Sequence, residues 1–254
     1  MRSAVLVIVT VFAVQLVTQS TSAAYQLEPI SRVFSPSGAK ATQSFEVVNS
    51  GDRRIAVMIS FAALERNERY VETNHDAEDE FLAYPPQMIL APGTRQTVRV
   101  SWLGTPNPAR ELAYRIIVTQ VPLEQLDHSA RSEDQPHGQM RVMLNYRGTL
   151  FIRPPKAAPR IVLHGAEIET AADGTRGLAI TLDNAGTAVG LVKDCALRLA
   201  STAGGPDIAL SSAALAGLRN TRVLAGGRRR YTVPWPADLT PGRVNVTGQC
   251  LVDP

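Results

Sequence analysis

The chain has 254 residues, 44% hydrophobic and 19% charged, with a formal net charge of +3. This apolar share excludes a disordered chain, and 18 glycines and 17 prolines without a three-residue period exclude a collagen-like fibre. Two cysteines exclude a disulfide-dense scaffold and a four-cysteine zinc site, and so small a charge excludes the broad basic face of a dedicated nucleic-acid binder.

The chain opens on Met1-Arg2, runs through an apolar stretch at residues 4–14 and then reaches the small residues Ser20-Thr21-Ser22-Ala23-Ala24. A positive start, a short apolar run and a small-residue cleavage site predict a secretory signal over residues 1–24. The run is shorter than the ~20 residues of a membrane span, an uncleaved anchor being the alternative. The mature protein is expected in an exported, disulfide-permissive compartment.

Strand patterns follow. Residues 45–49 meet the turn signal Ser50-Gly51-Asp52, and the β-rich run 54–61 comes at once after it, a hairpin signal. Residues 97–102 alternate, setting Val98, Val100 and Trp102 on the face opposite Arg99 and Ser101. Residues 113–119 and 140–152 are further runs. Pro36-Ser37-Gly38, Pro85-Pro86, Ala91-Pro92-Gly93 and Gly104-Thr105-Pro106 separate them. Short strands with such punctuation predict an all-β sandwich. Residues 211–218 could form one helical turn or a loop.

Three prolines in Arg153-Pro154-Pro155-Lys156-Ala157-Ala158-Pro159 mark a boundary, dividing the mature chain into residues 25–154 and 155–254. The second part, richer in Ala and Gly, carries a new series of short strands around 160–163, 177–182, 188–192, 196–199, 230–233 and 243–252, again the size of an Ig-like sandwich. Cys195 and Cys250 each fall in one of these strands and are expected to pair structurally. Closing that loop is worth about 4 kcal/mol by chain entropy, less if the bridge is strained.

Other chemistry is not indicated. His75, His128, His137 and His164 lack ligand spacing. Asp76-Ala77-Glu78-Asp79-Glu80 lacks the alternation and central glycine of a calcium loop and reads as solvated. No nucleophile elbow, Walker loop or dinucleotide fingerprint stands in context. Gly226-Gly227-Arg228-Arg229-Arg230 reads as a solvated basic corner, with contact to an outer-membrane protein or anionic lipid as the alternative. No catalysis, cofactor, metal, nucleic acid or small-molecule substrate is expected.

One ordered set of motifs runs through the first domain. Arg32-Val33-Phe34-Ser35-Pro36-Ser37-Gly38 is followed by Tyr84-Pro85-Pro86, Leu90-Ala91-Pro92-Gly93, Arg110-Glu111-Leu112-Ala113-Tyr114-Arg115, Val121-Pro122 and Leu150-Phe151-Ile152-Arg153-Pro154. Together they resemble the periplasmic chaperones of chaperone–usher pilus assembly. The resemblance implies two Ig-like sandwiches in a boomerang. It also implies a periplasmic location, pilin or fimbrial subunits and an outer-membrane usher as partners, and donation of a strand to a subunit that lacks one.

The run from residue 140 carries Met140, Val142, Leu144 and Tyr146 on one face and Arg141, Asn145 and Arg147 on the other, with Met143 breaking the pattern. Donation needs such a row: one face plugs the groove and the other stays on the chaperone. The polar segment 124–139 reads as its mobile lead-in. The family anchors the subunit's C-terminal carboxylate with two basic residues. The resemblance puts Arg32 at the first position, but Thr149 stands where the second, a lysine, is usual. Arg115 lies inside an otherwise apolar strand and is the expected replacement, an internal ion pair with Glu111 or Glu46 being the alternative. This fits the archaic, spore-coat-like branch better than the classical one. The competing readings are an exported structural or adhesive module of a surface fibre, and an exported hydrolase for which no nucleophile–base pair is found.

Overall fold

The computed structural model describes residues 25–123, 143–170 and 173–254. The expected signal segment, the lead-in 124–139, Met140 and Val142 lie outside the described residues.

The chain forms β1 (Gln26–Glu28), β2 (Ser31–Phe34), β3 (Thr42–Val48), β4 (Ile55–Arg66), β5 (Glu72–Asp76) and β6 (Phe81–Tyr84). Then come β7 (Gln87–Leu90), β8 (Arg95–Trp102), β9 (Leu112–Val121) and β10 (Asn145–Ile152). One sheet has the order β1-β3-β8-β6; the facing sheet runs β2-β10-β9-β4-β5, with β7 also on β4. The second half adds β11 (Ile161–Thr170), β12 (Arg176–Asn184), β13 (Gly190–Ser201), β14 (Ile208–Ala209), β15 (Arg222–Val223), β16 (Arg228–Pro234) and β17 (Val244–Asp253). Its sheets are β11-β12-β16 and a group in which β14, β15 and β17 all pair with β13. The protein is all-β, two Ig-like sandwiches in series, with only 3-10 turns as helical structure among the described residues. The one at Ala216–Leu218 falls in the segment left open between turn and loop.

Alternation builds the first core. Val98 and Val100 of β8 are fully buried and Trp102 nearly so, while Arg99 is exposed, as the pattern predicts. Phe81 sits among four rings, those of Phe34, Phe61, Trp102 and Tyr114, with centroids 4.7–6.4 Å away. Such contacts add to what ring burial alone contributes. The second core is aliphatic, centred on Leu178, Ile180, Leu182, Val192, Leu197 and Leu199.

Each domain repeats one turn. Asn49-Ser50-Gly51 and Asn184-Ala185-Gly186 bury the asparagine side chain. Its Oδ1 accepts from the glycine N–H at 3.0 Å in both. Its Nδ2 donates to carbonyls of neighbouring loops and strands: Arg53, Leu90 and Ala91 in one domain, Ala188 and Val223 in the other. A buried amide satisfied at both ends stitches together backbone that no ladder reaches. Cys195 and Cys250 are direct partners across β13 and β17, and their disulfide is formed.

The domains meet beside the linker at Glu111. Its N–H donates to the Thr187 carbonyl at 2.8 Å, and its carboxylate accepts from Arg153 Nε and from the Val189 N–H. Burial pushes the Glu111 carboxyl up from its ordinary value while Arg153 pulls it back. Removing one partner of such a pair strands the other. Glu111→Ala should therefore lower the unfolding free energy by about 3 kcal/mol in urea titration. Glu111→Gln, which keeps an acceptor for Val189, should cost less.

Candidate functional site

Strand β10 is flanked unequally. β9 accompanies it over all of Asn145–Ile152, but β2 runs beside it, in parallel, only over Thr149–Ile152. Residues 145–148 have no partner strand on that side among the described residues. Such an edge presents open N–H and C=O groups to another strand.

The side chains of β10 divide by alternation. Leu150 and Ile152 are fully buried in the first core, and Tyr146 and Leu144 pack half-buried against the same core. The Tyr146 ring lies 5.1 Å from that of Tyr25, whose hydroxyl reaches the carbonyls of Val118 and Leu144. Gly148 belongs to this row because a Cβ there would come within 2.7 Å of Ile116 Cγ2. Leu144 and Tyr146 thus lie on the face that continues the first core, and the opposite face, expected to rest on the protein, is instead turned outward. The apolar row is the chaperone's own core prolonged past its rim. Asn145 and Arg147 point outward with the exposed Met143.

The two expected anchor cations do not converge. Arg32 pairs in register with Leu150, and Tyr114 stands across from Leu150 on the other side. Arg32 therefore faces inward at the sheet edge. Its Nη2 donates to the Ser44 carbonyl at 3.3 Å, and its Nε is buried without a partner. Arg115 lies one row away, aligned with Thr149, Ser31 and Ala62, and faces outward. A one-residue offset puts side chains on opposite faces.

Arg115 is held by a carboxylate, though neither Glu111 nor Glu46. Glu111 pairs with Arg153 and Glu46 with Arg95. The partner is Glu72: Arg115 Nε donates to Oε1 at 2.9 Å and Nη2 to Oε2 at 2.5 Å. Arg115 Nη1 donates to Thr149 Oγ1 at 2.5 Å. The threonine at the expected lysine position thus accepts from the cation expected to replace that lysine. Arg66 Nη2 adds a second cation on Glu72 Oε2 at 3.4 Å.

Glu72 opens β5, just past a turn whose tip reaches the second domain. The Glu68 carbonyl accepts from the Arg230 N–H at 2.7 Å, and the Tyr70 hydroxyl from the Arg222 N–H at 3.2 Å. The Tyr70 ring lies between guanidinium groups, Arg66 at 4.5 Å and Arg229 at 5.0 Å. The arginine run is therefore no solvated corner. Arg228 pairs with Asp183, Arg230 with Glu167, and half-buried Arg229 stacks on Tyr70. The acidic stretch is also less solvated than expected: Glu78 accepts from the Phe61 N–H at 2.9 Å and Glu80 from the Tyr114 hydroxyl at 2.7 Å.

Residues 29–158 match the family described as pili and flagellar-assembly chaperone, PapD N-terminal domain. Among solved structures, a chaperone–tip adhesin complex of CFA/I fimbriae biogenesis is similar at 12% identity and a TM-score of 0.55, over 89% of this chain and 99% of that one. The class 5 fimbriae chaperone CfaA matches at 13% and 0.53, over 89% and 98%. The CsuC–CsuE chaperone–tip complex of archaic Csu pili from Acinetobacter baumannii matches at 14% and 0.53, over 91% and 98%. No curated protein sequence matches the chain.

Hydrogen bonding to Arg115 holds the Glu72 carboxyl down to about 2, against burial that pushes it up. A carboxyl lowered in the folded state contributes stability above its ordinary value of 4.5 that is lost as pH falls through about 2. The melting-temperature difference between the wild type and Arg115→Ala should be full at neutral pH and close across that window.

Proposed function

The chain belongs to the pili and flagellar-assembly chaperone family of the PapD N-terminal domain, and on that premise we propose that it captures pilin subunits by lending them a strand and delivers them to an outer-membrane usher. In this reading residues 1–24 are a cleaved signal, the mature protein works in the periplasm as two domains, 25–154 and 155–254, and it neither catalyses a reaction nor needs a cofactor. The archaic branch is the closer fit, since Arg115 takes the place of the classical lysine.

The observation that carries the reading is the unequal flanking of β10. A subunit missing a strand has an apolar cleft and an open edge. The row Met140, Val142, Leu144 and Tyr146 would fill the cleft, and the open backbone before Thr149 would satisfy the edge. A subunit strand laid along that edge, parallel to β10, meets the start of β2 at row 149. Its terminal carboxylate then arrives beside Arg115, whose planar fork suits a carboxylate. Arg32, on the other face, is left out of this anchor.

The test is a tagged pull-down from the native periplasm with mass spectrometry. Wild type should bring down small pilin-like chains. Val142→Asp and Leu144→Asp should lose them, because a charge in a dry groove is costly; the melting curve should stay normal for Val142→Asp and fall modestly for Leu144→Asp, whose side chain packs against the first core. Arg115→Ala should weaken capture more than Thr149→Ala or Arg32→Ala. Normal capture by the aspartate variants would refute donation, and recovery of the protein alone, as higher oligomers, would favour the structural-module reading.

A further inference from the structure

Arg115 is only 14% exposed, and in the free chaperone it is not waiting empty. Both oxygens of Glu72 are spent on it, in the two-pronged geometry that a chain-terminal carboxylate would adopt there. The carboxylate that fills the seat sits on a part of the fold suited to leaving. Among the described residues β5 is the last strand of its sheet, paired only with β4, and its residues are half-buried or exposed. The tip before it is tied separately, through Glu68 and Tyr70, to Arg230, Arg222 and Arg229 of the second domain. Glu72 could leave Arg115 without the hairpin losing its hold.

Charge favours exchange over exclusion. Arg66 and Arg115 together face the one carboxylate of Glu72, so the cluster keeps a net positive charge toward a second anion. The other acids and bases nearby are engaged elsewhere: Glu65 with His75, Arg69 with Glu169, and Arg230 with Glu167. Resting on the chaperone reading above, we propose that Glu72 is a stand-in for the subunit's C-terminal carboxylate: it neutralises Arg115 in the empty chaperone and is displaced from it when a subunit binds. The benefit to the empty protein is plain, because a mostly buried guanidinium without an anion is costly. Selectivity follows as well. A tethered carboxylate competes at a high effective concentration, so a free small carboxylate cannot evict it. A subunit that also contributes a strand along β10 can.

Two measurements on the full mature chain test this. The first needs no subunit. Acetate, compared with chloride at matched ionic strength, should raise the melting temperature of Glu72→Ala and Glu72→Gln but leave the wild type unmoved. The glutamine variant keeps the shape of the site should the alanine variant fold poorly. No acetate-specific gain in either variant would overturn the proposal, as would an equal gain in the wild type. The second is capture of the pilin-like chains recovered by the wild type. Glu72→Gln should bind them about 5-fold or more tightly, the scale of an ordinary coupling between competing ligands, and Glu72→Gln/Arg115→Ala should lose the gain. Weaker or unchanged capture by Glu72→Gln would mean that Glu72 only orients Arg115, and would overturn the stand-in while leaving the chaperone reading intact. Absence of capture by wild type and variants alike would overturn the chaperone reading and this inference with it.

Discussion

The two-residue period of a single strand governs most of this molecule. Along β10, one set of side chains descends from half-buried Tyr146 to fully buried Leu150 and Ile152 and closes the first core. The other set includes Thr149, which meets Arg115, and Phe151, which is buried although it belongs to neither core cluster. The backbone between them is committed to β9 on one side and only partly to β2 on the other. Core, the outward row that meets Arg115 and the open edge are three uses of the same eight residues, and a slip of one position would exchange the first two.

Two half-buried cations show how buried positive charge is stabilised. Arg115 takes a carboxylate, Glu72. Arg229 has no acid among its described partners. It stacks on Tyr70 at 5.0 Å and donates to the carbonyls of Glu68 and Arg230, while burial lowers its affinity for the proton. Ring faces and carbonyls stabilise a guanidinium without cancelling its charge. Both cations are served by the one hairpin of β4 and β5, Arg115 by Glu72 and Arg229 by Glu68 and Tyr70. The turn of that hairpin and Glu111, through Thr187 and Val189, are separate points of contact between the domains, and two separated contacts restrain an angle that a proline linker with one contact would leave freer.

What could be read in advance follows from how densely each segment is patterned. β3, β8 and β9 are rich in β-branched residues at period two, and their inward rows could be assigned by inspection. Residues 62–76 could not. Ala62-Ala63-Leu64-Glu65-Arg66 and Glu72-Thr73-Asn74-His75-Asp76 carry little β-propensity, so β4 seemed to end at Phe61 and the hairpin bearing Glu72 was missed. Arg32 was assigned by its neighbours in a motif, but a motif gives a position along the strand and not the face it turns. Three consecutive arginines looked solvated because a run of like charge usually is. Alternation within β16 instead separates Arg229 from Arg228 and Arg230 and turns it onto Tyr70. In each case the missing information was a partner distant in sequence.

The proposed capture mechanism gains economy from where the edge stops. β2 begins its pairing at Thr149, the row in which Arg115 stands. A strand added to the open edge is therefore limited in length by the same residue that marks its chemical end point. Backbone pairing alone is indifferent to sequence and tolerates slippage. An anion seat alone recognises any carboxylate. With the two in one row, a guest strand satisfies both only when its free terminus falls at a fixed distance from the apolar residues that it offers to the row of Leu144 and Tyr146. Register is then set by an ion pair at one end and by side-chain fit along the rest, which lets a chaperone hold a strand-deficient subunit in one alignment without reading its sequence closely.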